Sequence, residues 1–168
     1  MMTSGGAVGV RPAEIADAGF LTSLAGRLAE SSRLPWLSQK NTDEFARTGC
    51  QQAAAAIGQA GHGVFVAESA PGERLGFVHA HLDQSAFTGE MVGYVSVVVV
   101  TPEARGRGVG RRLMQTAEEW ARHQGCRLLT LEVFASNAHA RAVYQRLGYH
   151  EQTLKLAKQL CNPTARPC

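Results

Sequence analysis

The sequence predicts a single domain of mixed α/β class. Segments with the two-residue period of strands and segments with the helical period of about 3.6 residues alternate along its 168 residues. Five valines among the seven residues at 94–100 are typical of a central strand that is buried on both faces. Because no linker, repeat or low-complexity tract divides the chain, we expect one domain over residues 8–160 and flexible tails at 1–7 and 161–168.

The first half of the chain predicts three strands and two helices. Strands with apolar alternation are expected at residues 8–11, 64–68 and 75–82. Helices are expected at residues 17–30 and from residue 42 or 43 to about residue 58. Asp17 is suited to cap the first helix, and a turn at Pro71 and Gly72 makes the last two strands a hairpin.

The second half predicts three more strands and two more helices. The strands are expected at residues 94–100, 127–134 and 149–158. The helices are expected at residues 109–124 and 138–147, and each is followed by a glycine that is typical of a helix end, Gly125 and Gly148.

The composition excludes several classes of protein. The net charge of +3 is mild, and glycines interrupt the one dense arginine cluster, so no nucleic-acid groove is predicted. The four cysteines form no CxxC pair and are expected to be the reduced thiols of a cytoplasmic protein. No apolar run approaches the ~18 residues that span a bilayer, and we expect neither a signal peptide nor a membrane partner.

The segment Arg-Gly-Arg-Gly-Val-Gly at residues 105–110 joins the valine-rich strand to the next helix. A helix N-terminus has unpaired N–H groups and a partial positive charge, and glycines let the backbone approach a bulky anion. The segment therefore predicts a pyrophosphate site, beside which Arg105, Arg107, Arg111 and Arg112 add positive charge. It is neither a Walker loop nor a dinucleotide fingerprint. A tight turn with solvent-facing arginines is the alternative interpretation.

Three segments resemble, in order and spacing, the GCN5-related N-acetyltransferase (GNAT) family. The matches are hydrophobic-x-Val-x-Pro at residues 98–102, Gln/Arg-x-x-Gly-x-Gly/Ala at Arg105, Gly108 and Gly110, and Asn-x-x-Ala-x-x-x-Tyr-x-x-x-Gly-Phe/Tyr at residues 137–149. The strong match covers residues 93–149, and a weaker one lies at residues 10–18.

The resemblance implies a central mixed, mostly antiparallel sheet with helices on both faces. The strands at 94–100 and 127–134 are expected to splay apart and admit the pantetheine arm of acetyl-CoA, which is the co-substrate, and no metal is expected. A backbone N–H near Val99 is expected to stabilise the oxyanion. The cofactor-binding positions carried over are Val98, Val99, Val100, Arg105, Gly106, Arg107, Gly108, Val109, Gly110, Arg111, Asn137 and Tyr144.

Tyr144 is the candidate acid that protonates the departing CoA thiolate. Ala140, Val143, Tyr144 and Leu147 share one helix face, which is expected to pack on the sheet and direct the phenol inward. A core tyrosine with a structural hydrogen bond is the alternative.

Glu132 is the candidate base, because an acid in a buried strand is costly unless it is paired or used. Residues 131–151 are similar to the ribosomal-protein alanine N-acetyltransferases, in which the corresponding glutamate and tyrosine act as base and acid. Several relatives have an acidic base in the central strand, where this chain has Ser96; Glu90 or an ordered water is then the substitute. A purely structural glutamate is the alternative.

His79 and His81 alternate along their predicted strand and point to one side of it. Because no third ligand is evident, they do not predict a metal site. They either line the acceptor pocket or occupy a half-exposed strand face. Trp36, Phe45 and Tyr94 are further candidates for the wall of that pocket, although a core role is favoured for each.

The acceptor is not specified by any motif. A small-molecule primary amine is favoured, and the alternatives are a peptide N-terminus and a non-catalytic acetyl-CoA-binding module. A nucleic-acid binder is least favoured, because no aromatic platform accompanies the arginines. Homodimers are frequent in the family, so the resemblance also raises the expectation of a homodimer.

Overall fold

The computed structural model describes residues 7–70 and 72–160, and it confirms the mixed α/β class. The strands are β1 Gly9–Pro12, β2 His62–Glu68, β3 Arg74–Gln84, β4 Met91–Val100 and β5 Leu129–Leu131. The α-helices are α1 Ala18–Ser23, α2 Ala25–Glu30, α3 Gln39–Ala55, α4 Val109–His123 and α5 Ala138–Arg146. Short 3-10 turns lie at Ile15–Asp17 and Pro102–Ala104. Apart from Ala7, the predicted tails lie outside the described residues, as does Pro71 of the predicted turn.

The five strands form one sheet in the order β1-β2-β3-β4-β5. Strands β1 to β4 are antiparallel to their neighbours, whereas β5 is parallel to β4, so the sheet is mixed and mostly antiparallel as expected. Pairing between β4 and β5 extends only from Gly93 with Leu129 to Val95 with Leu131. Since β4 continues to Val100, the two strands part beyond Val95 and leave a gap.

A β-bulge interrupts β4 at Ser96. His79 pairs with Val97 and Ala80 pairs with Val95, so Ser96 has no partner of its own in β3. An extra residue of this kind reverses the alternation of side chains beyond it. Val95 consequently packs on the α4 side of the sheet, whereas Val97 packs on the side of α1 and α3.

Helices cover both faces of the sheet, and each face has its own apolar core. The core under α1 and α3 includes the buried residues Leu21, Cys50, Val66, Phe77 and Val97. The core under α4 includes the buried residues Val78, Val95, Val109, Leu113 and Met114. The apolar positions of α4 recur at helical spacing and therefore form the stripe that meets the sheet. No helix of the described chain is long and apolar enough to cross a membrane.

Two boundaries in the first helices differ from the prediction. The helix expected from Asp17 to Glu30 is interrupted at Leu24, whose φ of −85° and ψ of 3° separate α1 from α2. Helix α3 begins at Gln39 rather than at residue 42 or 43, because the Ser38 side chain caps it. The Ser38 hydroxyl accepts a hydrogen bond from the N–H of Asn41 at 3.2 Å.

The last two predicted strands are also wrong in extent. The strand expected at 127–134 is reduced to the three residues of β5. The strand expected at 149–158 is absent, and the side chains of Leu154 and Leu156 in that segment are 75% and 90% exposed. A strand needs a partner to satisfy its backbone groups, and the short β5 offers little edge to pair with.

Asp17 does not use its side chain to cap α1, contrary to the prediction. Its carboxylate is 1% exposed and accepts hydrogen bonds from Arg11 at 2.8 and 3.1 Å, from Arg74 at 2.6 Å and from the N–H of Glu14 at 2.8 Å. The Arg11 hydrogen bonds lower the pKa of Asp17 to about 2 against the opposing effect of burial. We call Arg11, Asp17 and Arg74 the ion cluster; it joins β1, the turn before α1 and β3.

Candidate active site

The turn before α4 forms an exposed helix N-terminus shaped by glycines. Gly106 and Gly108 have φ values of 72° and 73°, in the left-handed region that glycine adopts without a steric penalty. None of the described side chains caps α4, whose N-cap is Gly108. The first N–H groups of the helix, beginning at Val109, therefore have no partner within it. With the exposed Arg105 and Arg107 beside them, these groups can bind an anion such as a diphosphate.

The edge of β4 that faces the gap has backbone groups free of the β3 ladder. The N–H of Thr101 donates to the carbonyl of Leu75 at 2.8 Å, which sets the hydrogen-bond phase between the two strands. The alternation of an antiparallel ladder then directs the N–H of Val99 towards β3 and those of Val98 and Val100 towards the gap. The donors available near Val99 are therefore the N–H groups of its two neighbours.

Two further arginines lie at the ends of these elements. Arg27 Nε donates to the carbonyl of Val100 at 3.4 Å, and Arg112 Nη1 donates to the carbonyl of Val8 at 3.1 Å. Arg111 is exposed. No motif in the sequence marks Arg27, which lies 73 residues before its partner Val100.

Tyr144 lies where its helix meets the α4 side of the sheet. Its half-buried side chain packs against the α4 core, and its ring meets that of Tyr149 edge-on at 5.8 Å. Burial raises the pKa of Tyr144, so its phenol is protonated at neutral pH. The neighbouring Tyr149 hydroxyl donates to Glu118 at 3.2 Å, whereas the Tyr144 hydroxyl makes no hydrogen bond within the described residues. Tyr144 can therefore act as a proton donor.

The candidate base Glu132 is not in a buried strand, contrary to the expectation. It follows the end of β5 and is exposed, so burial gives no argument for its use. Glu90 is likewise exposed, in the loop before β4. Asn137 caps α5, since its side-chain oxygen accepts a hydrogen bond from the N–H of Ala140 at 3.1 Å. A role of Asn137 towards the cofactor stays a prediction.

Three histidines share the face of the sheet that α3 covers. His62 of β2 is the register partner of His81 in β3, and His79 lies two residues before His81. One imidazole nitrogen from each lies within 4.8 Å of the others. The expectation that no third ligand accompanies His79 and His81 is therefore wrong. We call these three residues the histidine cluster.

His62 was missed because the strand predicted at residues 64–68 begins two residues too late, whereas β2 begins at His62. The shift of one residue in the β2–β3 pairing between Ala67 and Glu68 further obscures which residue of β3 faces it. The signal that could have found it is the alternation itself. His62 shares its parity with Val64 and Val66, which face the α3 side, and so it belongs on the face with His79.

Ser96 and the histidine cluster form a chain of close polar contacts. Ser96 Oγ lies 2.7 Å from His79 Nδ1, and His79 Nε2 lies 3.0 Å from His62 Nδ1. Burial and the neighbouring imidazoles of His62 and His81 lower the pKa of His79 to about 4. Burial lowers the pKa of His81 as well, so both rings are neutral at pH 7. His81 Nδ1 is buried and makes no hydrogen bond within the described residues.

An open cavity of about 360 Å³ lies against the histidine cluster and Ser96. The end of α3 and the turn after it form the opposite wall, with Gln52, Ala55, Ala56 and Gln59. His79 and His81 thus line a cavity. This agrees with the interpretation that they line a pocket, whereas the identity of its ligand stays a prediction. Tyr94 extends this face, and its ring lies 5.3 Å from that of His81.

The other two aromatic candidates are not core residues, contrary to the favoured interpretation. Trp36 and Phe45 are 47% and 60% exposed. The Phe45 ring meets that of Phe134 edge-on at 6.0 Å, and Ser136 Oγ donates to the carbonyl of Arg33 at 2.6 Å. These contacts join the first helices to the segment after β5, beyond the gap.

Comparison with known proteins places the chain among characterised families. The family model described as "Acetyltransferase (GNAT) family" matches residues 26–149. The chain is 35% identical over 156 residues to glucosamine 6-phosphate N-acetyltransferase 1 of rice, covering 90% of this chain and 87% of that protein. It is 33% identical over 91 residues to an aminoglycoside N(6')-acetyltransferase type 1 of Stenotrophomonas maltophilia, covering 52% of this chain. The chain spans 60% of the length of that second relative.

Solved structures have the same fold. A putative acetyl transferase from Pyrococcus furiosus superimposes with a TM-score of 0.73 at 24% identity, covering 92% of this chain and all of that one. A ribosomal-protein-alanine N-acetyltransferase from Brucella melitensis superimposes with a TM-score of 0.64 at 18% identity, covering 92% of this chain and all of that one.

Proposed function

The chain belongs to the GNAT acetyltransferase family, and from this premise we propose that it transfers the acetyl group of acetyl-CoA to the primary amine of a small molecule. The single observation that carries the proposal is the uncapped, glycine-shaped N-terminus of α4, which follows the end of β4 that is no longer paired with β5. This geometry suits a ligand with a diphosphate at one end and an extended arm along the gap.

The pantetheine arm would lie along the free edge of β4. The N–H of Val100 points into the gap and can pair with an amide of the arm, as an added strand would. The diphosphate would bind the N–H groups at the start of α4, with Arg105, Arg107 and Arg111 close enough to add charge.

The reaction we propose is direct attack of the neutral amine on the thioester carbonyl. The N–H of Val98 donates to the developing oxyanion, which needs a fixed donor in the transition state. The protonated phenol of Tyr144 donates its proton to the departing thiolate. The amine's proton goes to Glu132, Glu90 or a water held near Ser96.

The names of the relatives favour a small-molecule acceptor. Glucosamine 6-phosphate and aminoglycosides are small molecules with amino groups, and both names belong to proteins of which this chain is an identifiable relative. A peptide N-terminus is the second candidate, supported by the fold likeness to a ribosomal-protein-alanine acetyltransferase. Thiol release measured with a panel of amino sugars, diamines and alanine-terminated peptides separates the two. Release with the peptides alone would overturn the small-molecule proposal.

Two glycines at opposite ends of α4 provide a matched test of acetyl-CoA binding. Gly108 and Gly125 have φ values of 73° and 81°, and in both the space around a Cβ is open. Alanine at either position costs roughly 1–2 kcal/mol of stability, because an L-residue is strained there. Only Gly108→Ala should also weaken acetyl-CoA binding, by about tenfold. Calorimetric titration checks this, and equal affinities in the two variants would contradict the assigned diphosphate site.

Tyr144→Phe should lower kcat at least about a hundredfold while changing acetyl-CoA affinity little, because it removes the proton donor and keeps the ring. Tyr149→Phe is the matched control, since Tyr149 already donates to Glu118, and its kcat should stay near that of the parent. An unchanged kcat in Tyr144→Phe would refute the acid role. Glu132→Gln tests the base in the same assay, with Glu90→Gln beside it.

A further inference from the structure

The histidine cluster is not used by the proposed acetyl transfer. It brings three imidazoles together from two strands, and carboxylate and thiol groups take no part in it. Such a set of like groups satisfies itself poorly, because within the described chain only His62 and His79 are at hydrogen-bonding distance from each other. The cluster also borders an open cavity, which gives a ligand a route of entry.

Ser96 contacts His79 at two points. The Ser96 hydroxyl oxygen lies 3.3 Å from the carbonyl oxygen of His79 and 2.7 Å from His79 Nδ1. A hydroxyl that donates to the carbonyl accepts from Nδ1–H, and His79 then keeps the lone pair of Nε2, which lies 3.0 Å from His62 Nδ1. Metal-binding histidines have this arrangement, in which the nitrogen that is not a ligand donates to a neighbouring oxygen.

His81 supplies an observation independent of that contact. Its Nδ1 is buried and lacks a hydrogen-bond partner among the described residues, which is a costly state for a polar atom. A ligand that accepts the lone pair of this nitrogen removes that cost.

We propose that His62, His79 and His81 bind one divalent transition-metal ion of the Zn²⁺ class, with the fourth coordination position open to the cavity. Ligands about 2.0 Å from a tetrahedral ion are roughly 3.3 Å apart, close to the separation of His62 and His79. The three nitrogens lie within 4.8 Å of one another, and side-chain rotation of the exposed His62 can bring its nitrogen nearer to the other two. Three neutral nitrogens suit Zn²⁺, Ni²⁺, Cu²⁺ or Co²⁺ rather than the oxygen-seeking Ca²⁺ or Mg²⁺.

The test is a Co²⁺ titration of the full chain after dialysis against a chelator. We expect one equivalent to bind and to produce the visible d–d absorption of a low-coordinate, nitrogen-ligated ion, and Zn²⁺ to displace it. His62→Ala is the first variant, because His62 is exposed and its loss leaves the fold intact. It should weaken Co²⁺ binding at least about tenfold, and Ser96→Ala should weaken it by about tenfold through the freed tautomer of His79.

His150→Ala is the matched control, since His150 is an exposed histidine outside the histidine cluster. A Cys161→Ser, Cys168→Ser double variant removes the thiols near the C-terminus as an alternative source of ligands. Both controls should bind Co²⁺ as the parent does. The proposal is overturned if no visible absorption develops, if His62→Ala titrates like the parent, or if either control loses the site. Because the readout is metal binding, its failure leaves the proposed acetyl transfer untouched.

Discussion

The ion cluster and the histidine cluster each contain three polar residues from different segments of the chain, and they differ in how fully their atoms are satisfied. Asp17 accepts four hydrogen bonds, three of them from guanidinium groups of opposite charge. His81 has a buried nitrogen with no partner in the described chain, and its neighbours are two further imidazoles. The ion cluster is matched by partners within the fold, whereas the histidine cluster faces a cavity.

The difference suggests that the ion cluster stabilises the fold, whereas the histidine cluster is retained for a function. A buried carboxylate is retained when its charge and lone pairs are matched, and the match then connects elements of the fold. A buried group without a match lowers stability, so a fold that retains one has a reason outside its own packing. The two clusters should therefore respond to substitution in opposite ways.

The largest expected effect is from Asp17→Ala, which leaves Arg11 and Arg74 without their shared partner. We expect the free energy of unfolding to fall by roughly 3–5 kcal/mol, towards the lower figure because both arginines are about a third exposed. Denaturant unfolding measures this. Asp43→Ala, which removes one solvent-exposed hydrogen bond with Gln39 within α3, is the control, with an expected change within about 0.5 kcal/mol. Equal losses of unfolding free energy in the two variants would show that the ion cluster has no special role in stabilising the fold.

The next largest effect concerns the free energy of unfolding at acidic pH. The pKa of Asp17 is lowered from 3.8 to about 2 in the folded protein, so its contribution is complete above about pH 4. As the pH falls through the folded pKa, that contribution, about 2 kcal/mol, is lost. Unfolding measured at fixed temperature between pH 5 and about pH 2 should show this loss in the parent and a smaller slope in Asp17→Asn. Identical slopes would mean that the ion cluster does not set acid stability.

The smallest expected effect is a gain in the free energy of unfolding rather than a loss. His81→Phe removes the unpaired nitrogen and keeps a ring that packs against Tyr94, so the metal-free protein should gain up to about 1 kcal/mol. Thermal unfolding in the presence of a chelator measures it. The exposed His150→Phe should change stability by less than about 0.5 kcal/mol. A clear loss of stability in His81→Phe would place His81 with the residues that hold the fold together.

The parts of the fold that were predicted correctly are those with strong local patterns. The apolar stripe of α4, the valine run of β4 and the glycines of the loop between them depend on residues close in sequence, and the structure has all three. The place of Ser96 in β4 was also foreseen. The bulge at Ser96, however, depends on pairing with β3 and cannot be predicted from the sequence of β4 alone.

The parts that failed depend on contacts between distant segments. Glu132 alternates with apolar neighbours as a buried strand residue would, but β5 ends one residue before it because no further partner is available. Residues 149–158 have the composition of a strand and lack an edge to join. His62 joins the histidine cluster because β2 begins two residues earlier than expected and pairs there with β3. In each case the deciding interaction lies across the sheet rather than along the chain.

The bulge at Ser96 has a consequence for how β4 is aligned. Four consecutive valines follow it, so the two faces of that stretch present identical side chains and cannot distinguish the correct alignment from one displaced by a single position. The hydroxyl that contacts the ring and carbonyl of His79 is the feature that does distinguish them. In a uniform stretch of valines, the contact of one polar side chain thus fixes the alignment of β4 with β3.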